Sequence, residues 1–292
     1  MPIAADISAE IAALLQQVHA DRPAPRVRAL HLPPTSPPQG KEGEFAALEL
    51  DSGALGLSFL LLDDTLTSIA ALADAVRGMD ALELLQWWAD PAAAAASPAR
   101  AALGFAAANA LSRTLLDRSG FVPGPARDTI GGLDPQPGEA VGMVGLFPPL
   151  VQRVLARGAR LTVLELRADL AGERDGYTVT LDPQALSGCT QVLSTSTVLL
   201  NHSFERVREV CRSARRFVLV GPGAGCLPDP LFAAGVTAMA GTWIADPPAL
   251  LRAITTGAPW GAATVKFLLE REDYPGVEAL RARAAAREGS RR

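Results

Sequence analysis

Lysine is nearly absent from this 292-residue sequence: among 27 basic residues the lysines are Lys41 and Lys266. The 31 acidic residues outnumber the basic ones, which gives a formal net charge of -4 and a pI near 5.5. A nucleic-acid-binding protein would normally carry a clustered basic surface. The composition therefore argues against a nucleic-acid partner. The many arginines follow no sequence pattern that would indicate a function.

Cysteine is also scarce, and long apolar runs are missing. The three cysteines, Cys189, Cys211 and Cys226, are odd in number and far apart, so they form neither a disulfide framework nor a Cys-x-x-Cys zinc pair. The first ten residues contain acids where a signal peptide has a basic leader. No uninterrupted run of about 18 apolar residues is available to span a membrane. We therefore expect a soluble protein of a reducing cytoplasm.

Apolar residues are plentiful at 49%, and the length suits two domains of ordinary size. In residues 1–125, strand-like segments precede segments whose apolar residues are spaced three and four apart. These patterns predict a small α+β domain, an antiparallel meander plus helices. The predicted helices are 7–20, 67–77, 80–89 and 98–116, and the predicted strands are 26–32, 44–50 and 55–62.

A segment rich in proline and glycine, residues 120–138, predicts the domain boundary. In residues 126–292, short continuous apolar runs alternate with helical patterns, which is typical of parallel strands covered on both faces. We therefore expect a Rossmann-like α/β domain. Its predicted strands are 140–144, 161–166, 191–195, 217–220 and 236–240. Its predicted helices are 148–157, 204–213 and 247–256, with a charged surface helix over 270–292.

The first glycine-rich segment of this domain lies between a strand and a helix. Gly142 and Gly145 precede Phe147 there, and glycines at such a turn let backbone amides approach a ligand at a helix N-terminus. Glu165 follows about twenty residues later, where dinucleotide-binding folds place an acid for a ribose hydroxyl. The complete G-x-G-x-x-G is absent, however, and Phe147 fills space where a pyrophosphate would lie. A tight turn without a nucleotide is the alternative interpretation.

A second glycine-rich segment begins with Gly221 and Pro222, but it lacks the Gly-Lys-Ser/Thr of a phosphate loop. Thr195, Asn201 and Ser203 follow the third predicted strand and predict a pocket mouth that orients a small polar ligand. Helix N-capping by Asn201 or Ser203 is the alternative. Because open α/β sheets bind ligands at the carboxyl ends of their strands, both segments are candidate walls of a ligand site.

Metal and catalytic signals are weaker. His202 and Cys226 follow strands that we expect to be neighbours, so they are the candidate metal-ligand pair. A buried free cysteine is the alternative. Glu165, His202 and Asp229 are candidates for acid–base work, but no catalytic residue can be assigned. No histidine has zinc-type spacing with another ligand; the three are His19, His31 and His202.

The motifs of the second domain occur in a characteristic order. They are Gly142-x-x-Gly145-x-Phe147-Pro148, Glu165, Leu200-Asn201-x-Ser203, Gly221-Pro222 and Pro228-Asp229-Pro230-Leu231-Phe232-x-x-Gly235-Val236, preceded by Asn109 within residues 104–110. This series resembles a bacterial and archaeal family of unknown function that is described as a putative heavy-metal chelation domain. In that family a Rossmann-like domain follows a smaller domain resembling the N-terminal domain of enolase. The resemblance covers roughly residues 27–257.

The resemblance implies a ligand site between the two domains, near Asn109, Gly145, Glu165, Asn201 and Gly221. It favours binding of a transition metal or of a small polar or metal-chelating ligand. The alternative is an enzyme that uses a nucleoside-containing cofactor, S-adenosylmethionine or a nicotinamide, in small-molecule or metallophore synthesis. A structural or regulatory module with a vestigial pocket is a third hypothesis. A homodimer is a common outcome for such folds.

Overall fold

The computed structural model describes residues 2–18, 23–35, 43–61, 64–126 and 130–289, and within them the chain forms two β-sheets covered by helices. The strands are β1 (Val27–His31), β2 (Gly43–Leu50), β3 (Leu55–Leu61), β4 (Ala140–Val144), β5 (Arg160–Leu164), β6 (Gly172–Arg174), β7 (Tyr177–Thr180), β8 (Gln191–Thr195), β9 (Arg216–Val220), β10 (Ala238–Ile244) and β11 (Thr264–Glu270).

The helices pack around both sheets, and no helix of the described residues is long and apolar enough to cross a membrane. The helices are α1 (Ile3–Val18), α2 (Asp64–Val76), α3 (Ala81–Ala89), α4 (Pro91–Ala96), α5 (Pro98–Ser119), α6 (Pro148–Ala156), α7 (Thr197–Leu200), α8 (Phe204–Val210), α9 (Pro228–Ala233), α10 (Pro247–Thr256) and α11 (Val277–Gly289).

The predicted meander is confirmed: β1, β2 and β3 pair in this order, antiparallel throughout. Helix α5 lies against it, and its alanine-rich sequence lets the backbones approach closely. A Cβ built on Gly56 of β3 would lie 2.0 Å from the carbonyl oxygen of Ala106. One built on Gly104 would lie 2.6 Å from the backbone nitrogen of Trp88 in α3. Glycine and alanine are therefore what permit this packing.

The larger sheet has the order β11-β10-β9-β8-β4-β5-β7-β6. The six strands from β10 to β7 are parallel, and they are arranged as 3-2-1-4-5-6 when numbered along the chain. The Rossmann-like prediction is confirmed. The order reverses between β4 and β8, so the connections that follow these two strands lead in opposite directions, which is the position where open α/β sheets bind ligands.

Several boundaries differ from those predicted. The sequence patterns do not predict β6, β7 and β11. Strands β6 and β11 pair antiparallel with the outermost parallel strands, so the sheet is mixed rather than purely parallel. The predicted helix start at Glu270 is wrong, because Glu270 ends β11 and pairs with Ala238. The expected end of this helix, 290–292, lies outside the described residues. So do residues 19–20 of the first predicted helix, residue 62 of the third predicted strand, and residues 127–129. The domain division at 125/126 stays a prediction.

One hydrophobic cluster contains residues of both halves of the chain, among them Trp88, Phe105 and Phe217. The rings of Trp88 and Phe105 lie 5.1 Å apart. The buried indole Nε1–H of Trp88 donates a hydrogen bond of 2.9 Å to the carbonyl oxygen of Leu199, which follows β8. This bond and the shared cluster hold α3 and α5 against the larger sheet.

The approach of α5 to β3 can be tested with Gly56→Ala. The added methyl group would meet the backbone of α5, which cannot move aside as a flexible side chain can. We expect the free energy of unfolding, measured with urea, to fall by about 1–3 kcal/mol. Gly124→Ala is the matched control, because a Cβ there meets nothing within 4 Å. Equal stability of the two variants would contradict the account.

Candidate functional site

The candidate site lies at the carboxyl edge of the larger sheet, beginning at the turn after β4. Gly145 has a φ of +84°, a region that favours glycine, and a Cβ built on it would lie 3.3 Å from Cγ2 of Thr195. Its N–H donates to the carbonyl oxygen of Leu164 at 2.9 Å. Gly145, Phe147 and Thr195, three of the predicted ligand-binding residues, therefore lie next to one another.

Glu165 follows β5 directly and fixes this turn. One carboxylate oxygen accepts the N–H of Leu146 at 3.3 Å, and the other accepts the N–H of Leu166 at 2.7 Å. The half-buried carboxylate retains further lone pairs for a ligand, since an ionised carboxyl group accepts about four hydrogen bonds. Glu165 is thus a structural brace of the glycine turn as well as a candidate ligand contact.

The N-terminus of α6 is poor in hydrogen-bond donors. Its first two residues, Pro148 and Pro149, have no N–H, and the N-cap residue Phe147 makes no side-chain capping bond. The N–H of Leu146 is already bonded to Glu165. A helix N-terminus binds phosphate chiefly through free backbone N–H groups. This turn therefore lacks most of the donors that a pyrophosphate would need.

Hydroxyl groups lie on the other side of this turn, after β8. The hydroxyls of Thr195 and Thr197 are 3.0 Å apart, and that of Thr195 also accepts the N–H of Thr197 at 3.2 Å. Gly221, with a φ of +134°, approaches so closely that a Cβ on it would lie 2.8 Å from Oγ of Ser196. The edge thus continues from Thr195 to Gly221. Thr197 was missed as a site residue, although the Ser/Thr run 194–197 is visible in the sequence.

Asn109 connects α5 to β3 and to the segment that follows β9. Its side chain is buried; its Nδ2 donates to the carbonyl oxygen of Leu57 at 2.8 Å, and its Oδ1 accepts from the thiol of Cys226 at 3.2 Å. Asn109, Pro222 and Cys226 line a cavity of about 50 Å³ between α5 and the segment after β9, which is enough for water molecules. The hydrogen bonds of Asn109 therefore join parts of the structure, and they leave few of its polar groups for a ligand.

Three further predicted site residues make local contacts of their own. Gly142 lies within β4, where a Cβ would lie 3.3 Å from Sγ of Cys189, so it faces a packed side of the sheet. Asn201 is exposed, and its Oδ1 accepts the hydroxyl of Ser203 at 2.6 Å. Ser203 is the N-cap residue of α8 but makes no side-chain capping bond. The structure does not bring Gly142 to the edge of the sheet.

The proposed metal pair has no third ligand: among the residues that the structure describes, no three His, Cys, Asp or Glu side chains are grouped to hold a metal ion. Burial raises the pKa of Cys226, whose thiol is bonded to Asn109, and His202 lies against Trp88 with ring centroids 6.3 Å apart. The remaining histidines do not extend the pair, because His31 bonds to Glu49 and His19 lies outside the described residues.

Asp229, the remaining acid–base candidate, is engaged in structural bonds. Its carboxylate accepts the hydroxyl of Tyr274 at 2.5 Å and the N–H of Val277 at 3.0 Å, at the start of α11. Burial and the bond to Asp229 raise the pKa of Tyr274. Asp229 therefore anchors the start of α11, and both of its carboxylate oxygens are used in these bonds.

His202 has two unusual features. Its φ is +56°, the only positive value at a non-glycine residue in the described chain, and its buried Nε2 has no hydrogen-bond partner there. Burial lowers the pKa of the imidazole, and the charges of Glu205 and Asp90 act in the opposite direction. Strain and unsatisfied polar atoms cluster at functional positions. No sequence pattern predicts the positive φ of His202 or its unbonded Nε2.

The fold defines a class: a two-sheet α/β protein in which glycines and hydroxyl groups lie at the carboxyl ends of the strands of a Rossmann-like sheet. Residues 128–269 match the family described as "DUF364: Putative heavy-metal chelation", so the resemblance inferred from the motifs is confirmed over this stretch. The match includes the site residues from Gly145 to Gly221. No curated protein matches the chain.

Two solved structures of DUF364 proteins with unknown function share the fold. That from Desulfitobacterium hafniense DCB-2 is 19% identical, with a TM-score of 0.67 over 90% of this chain and 98% of that one. That from Pyrococcus horikoshii is 16% identical, with a TM-score of 0.64 over 92% and 100%. At these identities the similarity establishes the architecture of the chain.

The environment of His202 predicts a pH dependence. Because its pKa is lowered in the folded chain, the unfolded chain takes up the proton first, and stability falls as the pH drops below about 6.5. We expect His202→Asn to reduce this loss by less than about 1 kcal/mol, since the half-exposed ring is partly screened by solvent. Urea unfolding at pH 8 and pH 5 measures it.

The unaltered chain, unfolded at the same two pH values, is the reference for this measurement. The explanation is wrong if His202→Asn loses as much stability between pH 8 and pH 5 as the unaltered chain.

Proposed function

We propose that this protein binds a transition-metal chelate, a metal ion already held by a small organic ligand, at the carboxyl edge of the larger sheet between Gly145 and Gly221. The observation that carries the proposal is that the glycine turn held by the Glu165 carboxylate packs against Thr195, whose hydroxyl is bonded to that of Thr197, at the point where the strand order reverses. Open α/β sheets bind ligands at this position.

The choice of a chelate over a bare ion rests on ligand count. A transition-metal ion in a protein usually takes three or four donor side chains. The described residues contain no such group, and Cys226 is bonded to Asn109. A chelate brings its own donors to the metal, and the protein then needs hydrogen-bonding groups and a charge, which threonines and Glu165 supply. The name of the matched family, heavy-metal chelation, agrees with this role.

The charge of the edge also suits such a ligand. Glu165 is anionic, and the two prolines that begin α6 remove amides that would attract an anion. A chelate with a net positive charge or with free amine and hydroxyl groups would be favoured over a phosphate. Helix α5 lies beside the Gly221 end, where Phe105 and Asn109 contact the segment 223–225, and it would limit the size of the ligand.

Isothermal titration calorimetry can separate the chelate from the bare ion. We expect nickel, cobalt and zinc complexes of free histidine to include one that binds with a Kd below about 100 μM, whereas the chloride salts of the same ions do not. Glu165→Gln and Thr195→Val should each weaken binding about five- to tenfold, the usual effect of losing one hydrogen bond. Thr255→Val, on exposed α10, is the matched control. Bare ions that bind as tightly as the complexes would refute the proposal.

A second candidate is an enzyme that binds S-adenosylmethionine. The observation in its favour is the position of Glu165, immediately after the second strand of the 3-2-1-4-5-6 order, where an acid bonds a ribose. Nicotinamide dinucleotides fit less well, because their pyrophosphate needs the amides that Pro148 and Pro149 lack. S-adenosylmethionine has a ribose but no phosphate.

A thermal-shift assay tests this candidate. If it is correct, S-adenosylmethionine raises the melting temperature, NAD does not, and Glu165→Ala removes the effect. A ligand at 100 times its Kd adds about 2.7 kcal/mol to the stability of the folded state. Stabilisation by neither ligand would exclude the candidate, and a shift that persists in Glu165→Ala would remove the ribose role.

A further inference from the structure

Two exposed leucines adjoin Glu165 at the carboxyl edge of the larger sheet. Among the residues that the structure describes, four large apolar side chains are exposed: Val122, Leu166, Leu181 and Val265. Leu166 follows Glu165 directly and is 82% exposed, and Leu181 follows β7, the neighbour of β5, and is 47% exposed. Single exposed apolar residues are normal on a protein surface, so two beside one candidate ligand contact call for an explanation.

The register of the sheet places Leu181 in one row with the site residues. The N–H of Glu165 donates to the carbonyl oxygen of Thr180 at 2.9 Å, which continues the β5–β7 ladder by one pair, Glu165 with Leu181. Gly145 continues the β4–β5 ladder in the same way and lies opposite Glu165, and the β4–β8 register puts Thr195 beside Gly145. Residues opposite one another in parallel strands point to the same face, with the strands about 4.8 Å apart. Leu181 and Glu165 are therefore neighbours on one face.

The rest of this row is apolar as well. Thr195 lies opposite Val220, and Val220 lies opposite Ala240; both apolar residues are half-buried. The half-buried ring of Phe147 lies 3.6 Å from a Cβ built on Gly145, so an aromatic ring borders the point where the row lacks a side chain. The row is therefore mostly apolar surface beside one carboxylate.

That carboxylate, of Glu165, has no cationic partner within the described chain. Its hydrogen bonds go to the backbone N–H groups of Leu146 and Leu166, and no arginine, lysine or histidine described there forms an ion pair with it. The nearby cation in the sequence, Arg167, is paired with Asp169. A negative charge attracts a cation more strongly where apolar surface reduces the screening by water. A ligand that combines a positive charge with apolar surface matches both properties of the row.

We propose that the ligand of this edge is an amphipathic cation, whose positive centre lies at the carboxylate of Glu165 and whose apolar ring or chain covers Leu181 and Leu166. The inference rests on the proposed function, and it names the class of the chelate: the molecule that holds the metal is aromatic or aliphatic rather than strongly polar. Leu166 and Leu181 determine this specificity, because covering their exposed surface favours an apolar chelate over a polar one of equal charge.

Two cobalt(III) complexes of equal charge separate apolar contact from charge attraction: the tris complex of bipyridine and that of ethylenediamine. Both exchange their ligands too slowly to transfer cobalt to the protein during a titration. We expect calorimetric titration of the full chain to give a Kd for the bipyridine complex at least about tenfold lower than for the ethylenediamine complex. The variant Leu166→Ser/Leu181→Ser should weaken binding of the bipyridine complex about five- to tenfold and leave that of the ethylenediamine complex within about twofold.

Val122→Ser/Val265→Ser is the matched control, because it removes the two exposed apolar side chains that lie elsewhere, and it should change neither Kd by more than about twofold. All four side chains are exposed, so both double variants should fold, which urea unfolding verifies. Equal Kd values of the two complexes, or equal Kd values of the bipyridine complex in the two double variants, would overturn the inference and leave the proposed function standing. If neither these complexes nor the histidine complexes bind, the proposed function fails, and the inference fails with it.

Discussion

The structure depends on the burial of α5 between two sheets. The first half of this helix is rich in alanine, and its small residues allow contact with β3 at Gly56 and with α3 at Gly104. Because the helix is almost entirely buried, its polar side chains must find partners inside the protein. Asn109 bonds to Leu57 and Cys226, and Ser112 accepts the N–H of Leu227 at 3.0 Å. These bonds set the position of the segment after β9, including Gly221, relative to the first half of the chain.

The carboxyl edge combines a common topology with uncommon local chemistry. The strand order reverses at the position where many α/β proteins bind nucleotides. Here, however, the helix that would hold a phosphate begins with two prolines, and the amide of Leu146 is bonded to Glu165. The topology of a nucleotide-binding sheet is present, but the amide donors of a phosphate site are mostly lacking. What remains is a carboxylate, two threonine hydroxyls and two glycines with positive φ, which suits a small polar or cationic ligand.

The sequence predicts the meander, the Rossmann-like sheet and the grouping of Gly145, Glu165 and Thr195, because each depends on local periodicity or on spacing along neighbouring strands. It does not predict the partners of Asn109, which are 52 and 117 residues away in the chain. A glycine within a strand cannot be distinguished from a loop glycine in one sequence, so the pattern predicts Gly142 at the ligand site although it lies within β4. The left-handed backbone of His202 has no sequence signature, since tertiary packing imposes it on a residue that does not favour it.

The position of a bound metal is the most direct test of the central claim. Crystals soaked with the histidine complex of a transition metal would be measured at the absorption edge of that metal, and the anomalous difference map would locate it. The account predicts one strong peak at the carboxyl edge between Gly145 and Gly221, near the carboxylate of Glu165 and the hydroxyl of Thr195. A peak bonded to His202 or Cys226, or no peak at this edge in crystals that contain the complex, would contradict it.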